Sequence, residues 1–429
     1  MGEINNKKKG WIQGIIYSIV LFLVVYNPPV YAGLSFTTIA VVLSFIYIIF
    51  NSSVFSKVVR NKSIRHLFQL FALFFCYYLI EATVCYMASS REEIMSGLLS
   101  SVVSCISFFI VSFAIVIWSI KNGVTFEGLS KLYVSAGLLQ TVLVVACLVS
   151  PSVKSFFNGL TMANSGSEKI ARSMEYAGLF RNYGFASSLY DIFGFTMAVL
   201  GIMALNQALK GEKIYYVFSL LLALAAVVNA RSAFVIYIFG FIILLLARRK
   251  GASAGWYLKI GFLIGVVFLG VYIIFNQVLG NGSSEHMMWL ASGITETESL
   301  MNGQTEGYYD VLFNDFLIFP EGLSLIFGEG MTPQVAINHN SDVGYVQNLW
   351  LYGIVGSIFL YSFYVSMFKT AIKSLNWPNN SLMTAILLMI AFYMIKLTPL
   401  GYSQASVVFG PLCFLAAYQG IIGGRKVSS

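Results

Sequence analysis

Two stretches of the chain carry groups that could act on a charged, hydroxylated ligand. Lys169, Arg172 and Arg181 gather before one apolar run, and Arg231 sits in the turn Asn229-Ala230-Arg231-Ser232 between two others. A guanidinium stays charged at any working pH and donates two parallel hydrogen bonds, which suits phosphate or pyrophosphate. Further on, Asn338-His339-Asn340-Ser341-Asp342-Val343-Gly344-Tyr345 leads into another apolar run. His339 or Asp342 could take a proton from a hydroxyl. The two are three residues apart and share a face if a helix begins there. Asp342, with Ser341, is equally placed to cap such a helix. Arg231 could instead snorkel to an interface or pair with Glu175.

The elements that must position these groups are apolar. Of the 429 residues, 58% are hydrophobic and only 10% charged, against about 25% charged in a soluble domain. Lipid is therefore the expected solvent, and the formal charge of +8 is not read as a nucleic-acid signal. About 20 apolar residues cross a bilayer as helix. Spans are predicted near 12–26, 32–50, 67–88, 97–120, 132–150, 186–206, 214–229, 232–247, 257–275, 343–366, 381–397 and 405–422. The expected class is an all-α polytopic membrane protein with about 12 transmembrane helices in a single domain, 1–429. The pairs 12–26/32–50 and 214–229/232–247 read as tight hairpins that either cross fully or re-enter.

Charge gives orientation. With the N-terminus inside and alternating sides, every Lys and Arg falls on the cytoplasmic side except Arg91, Lys154, Lys169, Arg172, Arg181, Arg231 and Lys396. Both termini are then cytoplasmic. Within or near the spans, charge is confined to Glu81, Asp191 and Lys396. The five cysteines all fall in predicted spans, so neither a disulfide framework nor a zinc site is expected.

Two outer loops are long: 151–185, which holds the Arg cluster, and 276–342. The second carries Glu285, Glu296, Glu298, Glu306, Asp310, Asp315, Glu321, Glu329 and Asp342 with no Lys or Arg. It has no EF-hand spacing, so no metal is expected. Such a loop must fold over the membrane surface or be disordered, and Phe313 through Pro320 reads as an amphipathic surface helix. Trp289, Tyr308 and Tyr309 could stack on sugar rings or anchor the loop. A ligand that brings pyrophosphate to the outer interface is a polyprenyl-pyrophosphate-linked sugar, its tail between helices and its pyrophosphate on the arginines.

Four short segments carry a resemblance. They are Arg172 followed by Gly178-Leu179-Phe180; Asn229-Ala230-Arg231-Ser232-Ala233; Gly328-Glu329-Gly330; and Ser341-Asp342-Val343-Gly344-Tyr345 followed by Tyr352-Gly353-Ile354-Val355-Gly356. With the order of spans, they resemble the O-antigen polymerase family, the Wzy type of bacterial surface-polysaccharide polymerases, and share features with O-antigen ligases.

The resemblance implies a GT-C-like, inverting glycosyltransferase in the bacterial inner membrane, its active site facing the periplasm. Undecaprenyl-pyrophosphate-linked oligosaccharide repeats would be joined into polymer without a cofactor. Arg172, Arg231 and Arg181 would hold the pyrophosphate, with Tyr345 beside the substrate. Asp342 or His339 would deprotonate or orient the acceptor hydroxyl. Partners would be the lipid-linked oligosaccharide, membrane lipids and a chain-length regulator. The alternatives are an O-antigen ligase and a lipid-linked oligosaccharide flippase. A flippase would carry charge along a central cavity, and a solute transporter would show discontinuous helices in repeated halves.

Overall fold

A backbone in lipid must satisfy its own hydrogen bonds, and a helix does so within one segment. The computed structural model describes residues 2–28, 36–164, 184–186, 191–248, 311–338, 341–398 and 401–427, and every regular element among them is helical. Five helices are long and apolar enough to cross a membrane: α4 (Lys62–Ser89), α5 (Glu92–Lys121), α6 (Phe126–Val149), α8 (Asp191–Ala208) and α13 (Gly344–Ser374). A sixth is added if α2 (Phe36–Phe50) and α3 (Ser52–Val59), bent by 91° at Asn51, count as one. Shorter apolar helices include α9 (Ile214–Asn229), α14 (Asn379–Tyr393) and most of α1 (Gly2–Tyr26) and α10 (Arg231–Ala247). The predicted span 257–275 lies outside the described residues.

The outward faces identify the solvent. Met95, Leu99, Val103 and Ile106 on α5, and Leu139, Val142, Val145 and Val149 on α6, are exposed at helical spacing. On a water-soluble helix these positions would be polar. Contiguous apolar stripes on several helices are a surface made for lipid, and the protein is membrane-embedded.

The chain divides into two compact units, Met1–Thr37 with Ser130–Glu306, and Thr38–Leu129 with Gly307–Ser429. The first is built round α8, buried at every position from Phe193 to Ala208. Small residues let its neighbours approach. A Cβ at Gly194 would lie 2.8 Å from Ala230 and Ala233, and one at Gly201 would lie 2.9 Å from the Tyr237 ring. Close backbone approach of this kind is how helices associate in lipid. Ser219 ties the packing by donating to the Gly201 carbonyl at 2.8 Å while 2.7 Å from the Tyr237 hydroxyl. The stretch predicted as the loop 151–185 begins instead with a helix, α7 (Pro151–Asn164).

The second unit holds α2–α5, α13, α14 and α15 (Gln404–Val427). Toward the Lys62 end of α4 its interior is phenylalanine. Phe71 meets Phe109 at 4.6 Å, Phe68 stacks on Phe109 at 5.3 Å, and Phe113 stacks on Phe414 at 4.8 Å. That end is closed by polar ties: Lys121 Nζ to Asn51 Oδ1 at 2.6 Å, and Gln419 bridging the Phe126 N–H and the Val124 carbonyl, each at 3.1 Å. Toward the Ser89 end the same interior turns polar, with Tyr77, Tyr78, Glu81 and Ser101.

Candidate functional site

The described part of the segment before α13, residues 311–338, packs against α4 and α13. A π-helical turn, Val311–Phe316, passes into extended chain, then into α11 (Gly322–Phe327) and α12 (Pro333–Ile337). The helix expected over Phe313–Pro320 is therefore replaced. On the way in, the chain follows the first turns of α13. Ser341 Oγ donates to the Phe316 carbonyl at 2.6 Å and Trp350 Nε1 to the Ile318 carbonyl at 2.8 Å. Phe316, Leu317 and Ile318 pack on Val343, Val346 and Trp350.

At its deepest point the segment meets α13 where that helix is broken. Gly353 has φ 61° and ψ −173°, and Gly328 has φ 92°. Both need the freedom of glycine, and their backbones touch. The Glu329 N–H donates to the Trp350 carbonyl at 2.8 Å. Tyr77 of α4 donates toward the carbonyls of Phe327 at 2.8 Å and Tyr352 at 3.2 Å. The return limb climbs α4. Gly328 O lies 3.9 Å from Cys85 Sγ, and Arg91 donates to Met331 Sδ at 3.5 Å and to the Ala336 carbonyl at 3.3 Å.

Tyr77 is about a dozen residues below Ser89, roughly 18 Å along the axis. At this level and above it, Ile80, Val84 and Met87 of α4 are exposed and apolar, as are Leu323, Ile326 and Phe327 of the segment. Relative to α4 and α13 the segment is re-entrant, entering and leaving at the same end of those helices. Irregular backbone is tolerated at such depth only where protein or a cavity supplies partners, and Tyr77 and Glu329 are two of those partners.

Glu81 lies on the inner face of α4 at this junction, 6% exposed. The carboxylate is faced by the Cys85 thiol, 3.3 Å from one oxygen, and by the backbone N–H of Gly330, while the second oxygen is buried with no hydrogen-bond partner. Around it, Tyr78 approaches Ser101 at 3.4 Å and stands edge-on to Tyr352 at 4.8 Å. An ionisable group inside a membrane is a functional candidate because it is costly there without compensation. The sequence marks Glu81 only as a charge within a span. Its company comes from a stretch more than two hundred residues away.

The predicted site residues fare as follows. Arg172, Arg181 and His339 lie outside the described residues, as do Trp289, Tyr308 and Tyr309. Arg231 is the first residue of α10, and only its backbone is described; the adjacent Ser232 Oγ donates to Asp191 Oδ1, at the start of α8, at 3.0 Å. Asp342 is exposed and lies just ahead of α13, outside any helix. It is not the helix cap: α13 starts at Gly344, its N-cap position is Val343, and Ser341 Oγ takes the Val343 N–H at 3.3 Å. The condition for His339 and Asp342 to share a helical face is therefore not met. Tyr345 is half-buried on the first turn of α13, and its hydroxyl donates to the Ala391 carbonyl at 2.6 Å. Two segments that carry the resemblance do meet: Gly328-Glu329-Gly330 packs into the break in Tyr352–Gly356. No family model, curated protein or solved structure matches the chain.

Proposed function

We propose that this protein is a polysaccharide polymerase of the bacterial inner membrane. It joins undecaprenyl-pyrophosphate-linked oligosaccharide repeats at the periplasmic face, as a GT-C-like, inverting glycosyltransferase of about 12 spans with both termini in the cytoplasm. The observation that carries the reading is the meeting of Gly328-Glu329-Gly330 with Tyr352–Gly356. Both stretches resemble the O-antigen polymerases, and they form one structural element. In the reaction, the bond between the donor sugar and pyrophosphate breaks as the acceptor hydroxyl attacks. Arg172, Arg231 and Arg181 hold the departing pyrophosphate. Asp342 or His339 takes the hydroxyl proton, and Tyr345 lies beside the substrate. A chain-length regulator is the expected protein partner.

A second reading, a lipid-linked oligosaccharide flippase, is favoured by the broken α13 and the buried Glu81, since transporters place discontinuous helices at their sites. The test is the surface-polysaccharide profile of a strain lacking the gene, with rescue by wild type, Arg172→Lys, Arg231→Lys and Asp342→Asn. A polymerase leaves lipid A core bearing a single repeat and no ladder. Uncapped core with accumulated lipid-linked polymer means a ligase. Absence of any outward-facing lipid-linked repeat means a flippase. An unchanged profile sinks all three.

A further inference from the structure

Glu81 poses a problem that the described residues leave open. As a carboxylate it is a charge buried at membrane depth, and no described Lys, Arg or His pairs with it. As a carboxylic acid its second oxygen still finds no acceptor. Cys85 and the Gly330 N–H reach the carboxyl group but leave its second oxygen unserved, which is expensive in either form. Among the described residues, the titratable and charged groups around the junction are Tyr77, Tyr78 and Cys85 on α4, Arg91 at the start of α5 and Cys105 within it, Glu329 on the re-entrant segment and Tyr352 on α13. Arg91 is engaged with Met331 and Ala336.

What the junction does offer is oxygen. The break at Gly353 ends the first half of α13, and carbonyls freed at such a break lie at the negative end of a helix dipole. Tyr352 O and Phe327 O converge on one tyrosine hydroxyl, and Gly328 O is joined to Glu81 through the Cys85 side chain. A Cβ at Gly330 would come 3.1 Å from Ile94 Cγ2 and 3.5 Å from Glu81 Oε1, so a glycine here lets the backbone of the segment close on the carboxylate. Unwound carbonyls of a broken membrane helix next to a carboxylate form a donor set for a small hard cation.

We propose that Glu81, with the carbonyl oxygens at the α13 break and the re-entrant segment, is a site for a small monovalent cation, sodium or a proton. The proposal rests on the geometry of the second unit and stands whether or not the polymerase reading holds.

The test uses the purified full-length protein and dicyclohexylcarbodiimide, which adds to protonated carboxyl groups in apolar surroundings. Adduct formation at Glu81 is followed by mass spectrometry across pH and sodium concentration. Severalfold slower labelling in sodium, with no effect of equal choline, identifies a sodium site. Labelling that ignores sodium and declines as pH rises identifies the proton as the cation. No adduct at Glu81 under any of these conditions overturns the proposal. In parallel, thermal unfolding is measured for wild type and Glu81→Gln. Stabilisation of wild type by sodium or by acid should vanish in the variant, and the same dependence in both proteins would also overturn the assignment. The labelling arm needs no variant, so it stands even if Glu81→Gln fails to fold.

Discussion

Gly328 and Gly353 occupy each other's side-chain space: a Cβ on Gly353 would lie 2.4 Å from the Gly328 nitrogen, and one on Gly328 would lie 2.7 Å from the Gly353 nitrogen. Gly353→Ala should therefore unseat the re-entrant segment. Backbone strain at positive φ alone costs about 1–3 kcal/mol, and the clash adds to it. Thermal unfolding in detergent should show a clear loss of stability. Gly14→Ala, where nothing lies within 4 Å, should show no loss.

Tyr77→Phe removes the one hydroxyl proton that the carbonyls of Phe327 and Tyr352 share. An unsatisfied buried group costs about 1–3 kcal/mol. The expected result is faster amide exchange in the peptide covering 322–331, with α6 and α8 unchanged. Equal exchange in variant and wild type would mean that the hydroxyl does not hold the segment.

Lys154, half-buried on α7, has its ammonium held below the usual lysine range by burial, with Cys147 opposing that in part. The unfolded chain then binds the proton more tightly than the folded one. The destabilising contribution is full below the folded value, and it fades as pH rises from there toward the ordinary lysine pKa of about 10.4. Stability should climb with pH through that window, and Lys154→Met should flatten the climb. Thermal unfolding measured against pH decides it.

If Arg231 stabilises a departing pyrophosphate, Arg231→Lys keeps the charge and loses the two-pronged hydrogen bonding. Polymer formation should fall by about 10²–10³ at unchanged protein level. Asp342→Asn should cost about 10²–10⁴ if Asp342 is the base. Full activity in both variants would remove those residues from the site. The measurement is polymer made from lipid-linked repeats in membranes matched for protein content.

Helices such as α5 and α6 were legible because a long uncharged apolar run has one solution in lipid. The fate of the stretch before Gly344 was not. Its depth depends on three glycines, at 328, 330 and 353, fitting against backbone and side chains far away in sequence, and periodicity carries no trace of that fit. Asp342 reads as a cap from residue type alone. The helix starts two residues later, at Gly344, with Val343 in the N-cap position and Ser341 tied to the Val343 N–H and the Phe316 carbonyl. Glu81 was visible as an acid in a span, but its meaning lay in the carbonyls brought to it. In the sequence Arg231 reads as part of the turn between two apolar runs, whereas it is the first residue of α10, and the link from Ser232 to Asp191 is tertiary.

The burial of α8 has a consequence for how the protein is made. Of the five long candidate spans it is the least apolar, and it is also the most enclosed, with 89% of its window inside the protein. Two of the helices that cover it, α9 and α10, emerge from the ribosome after it. A helix of marginal apolarity gains little from lipid alone and much from close neighbours. The enclosure of α8 is therefore completed only once the hairpin that follows it in the chain has been made.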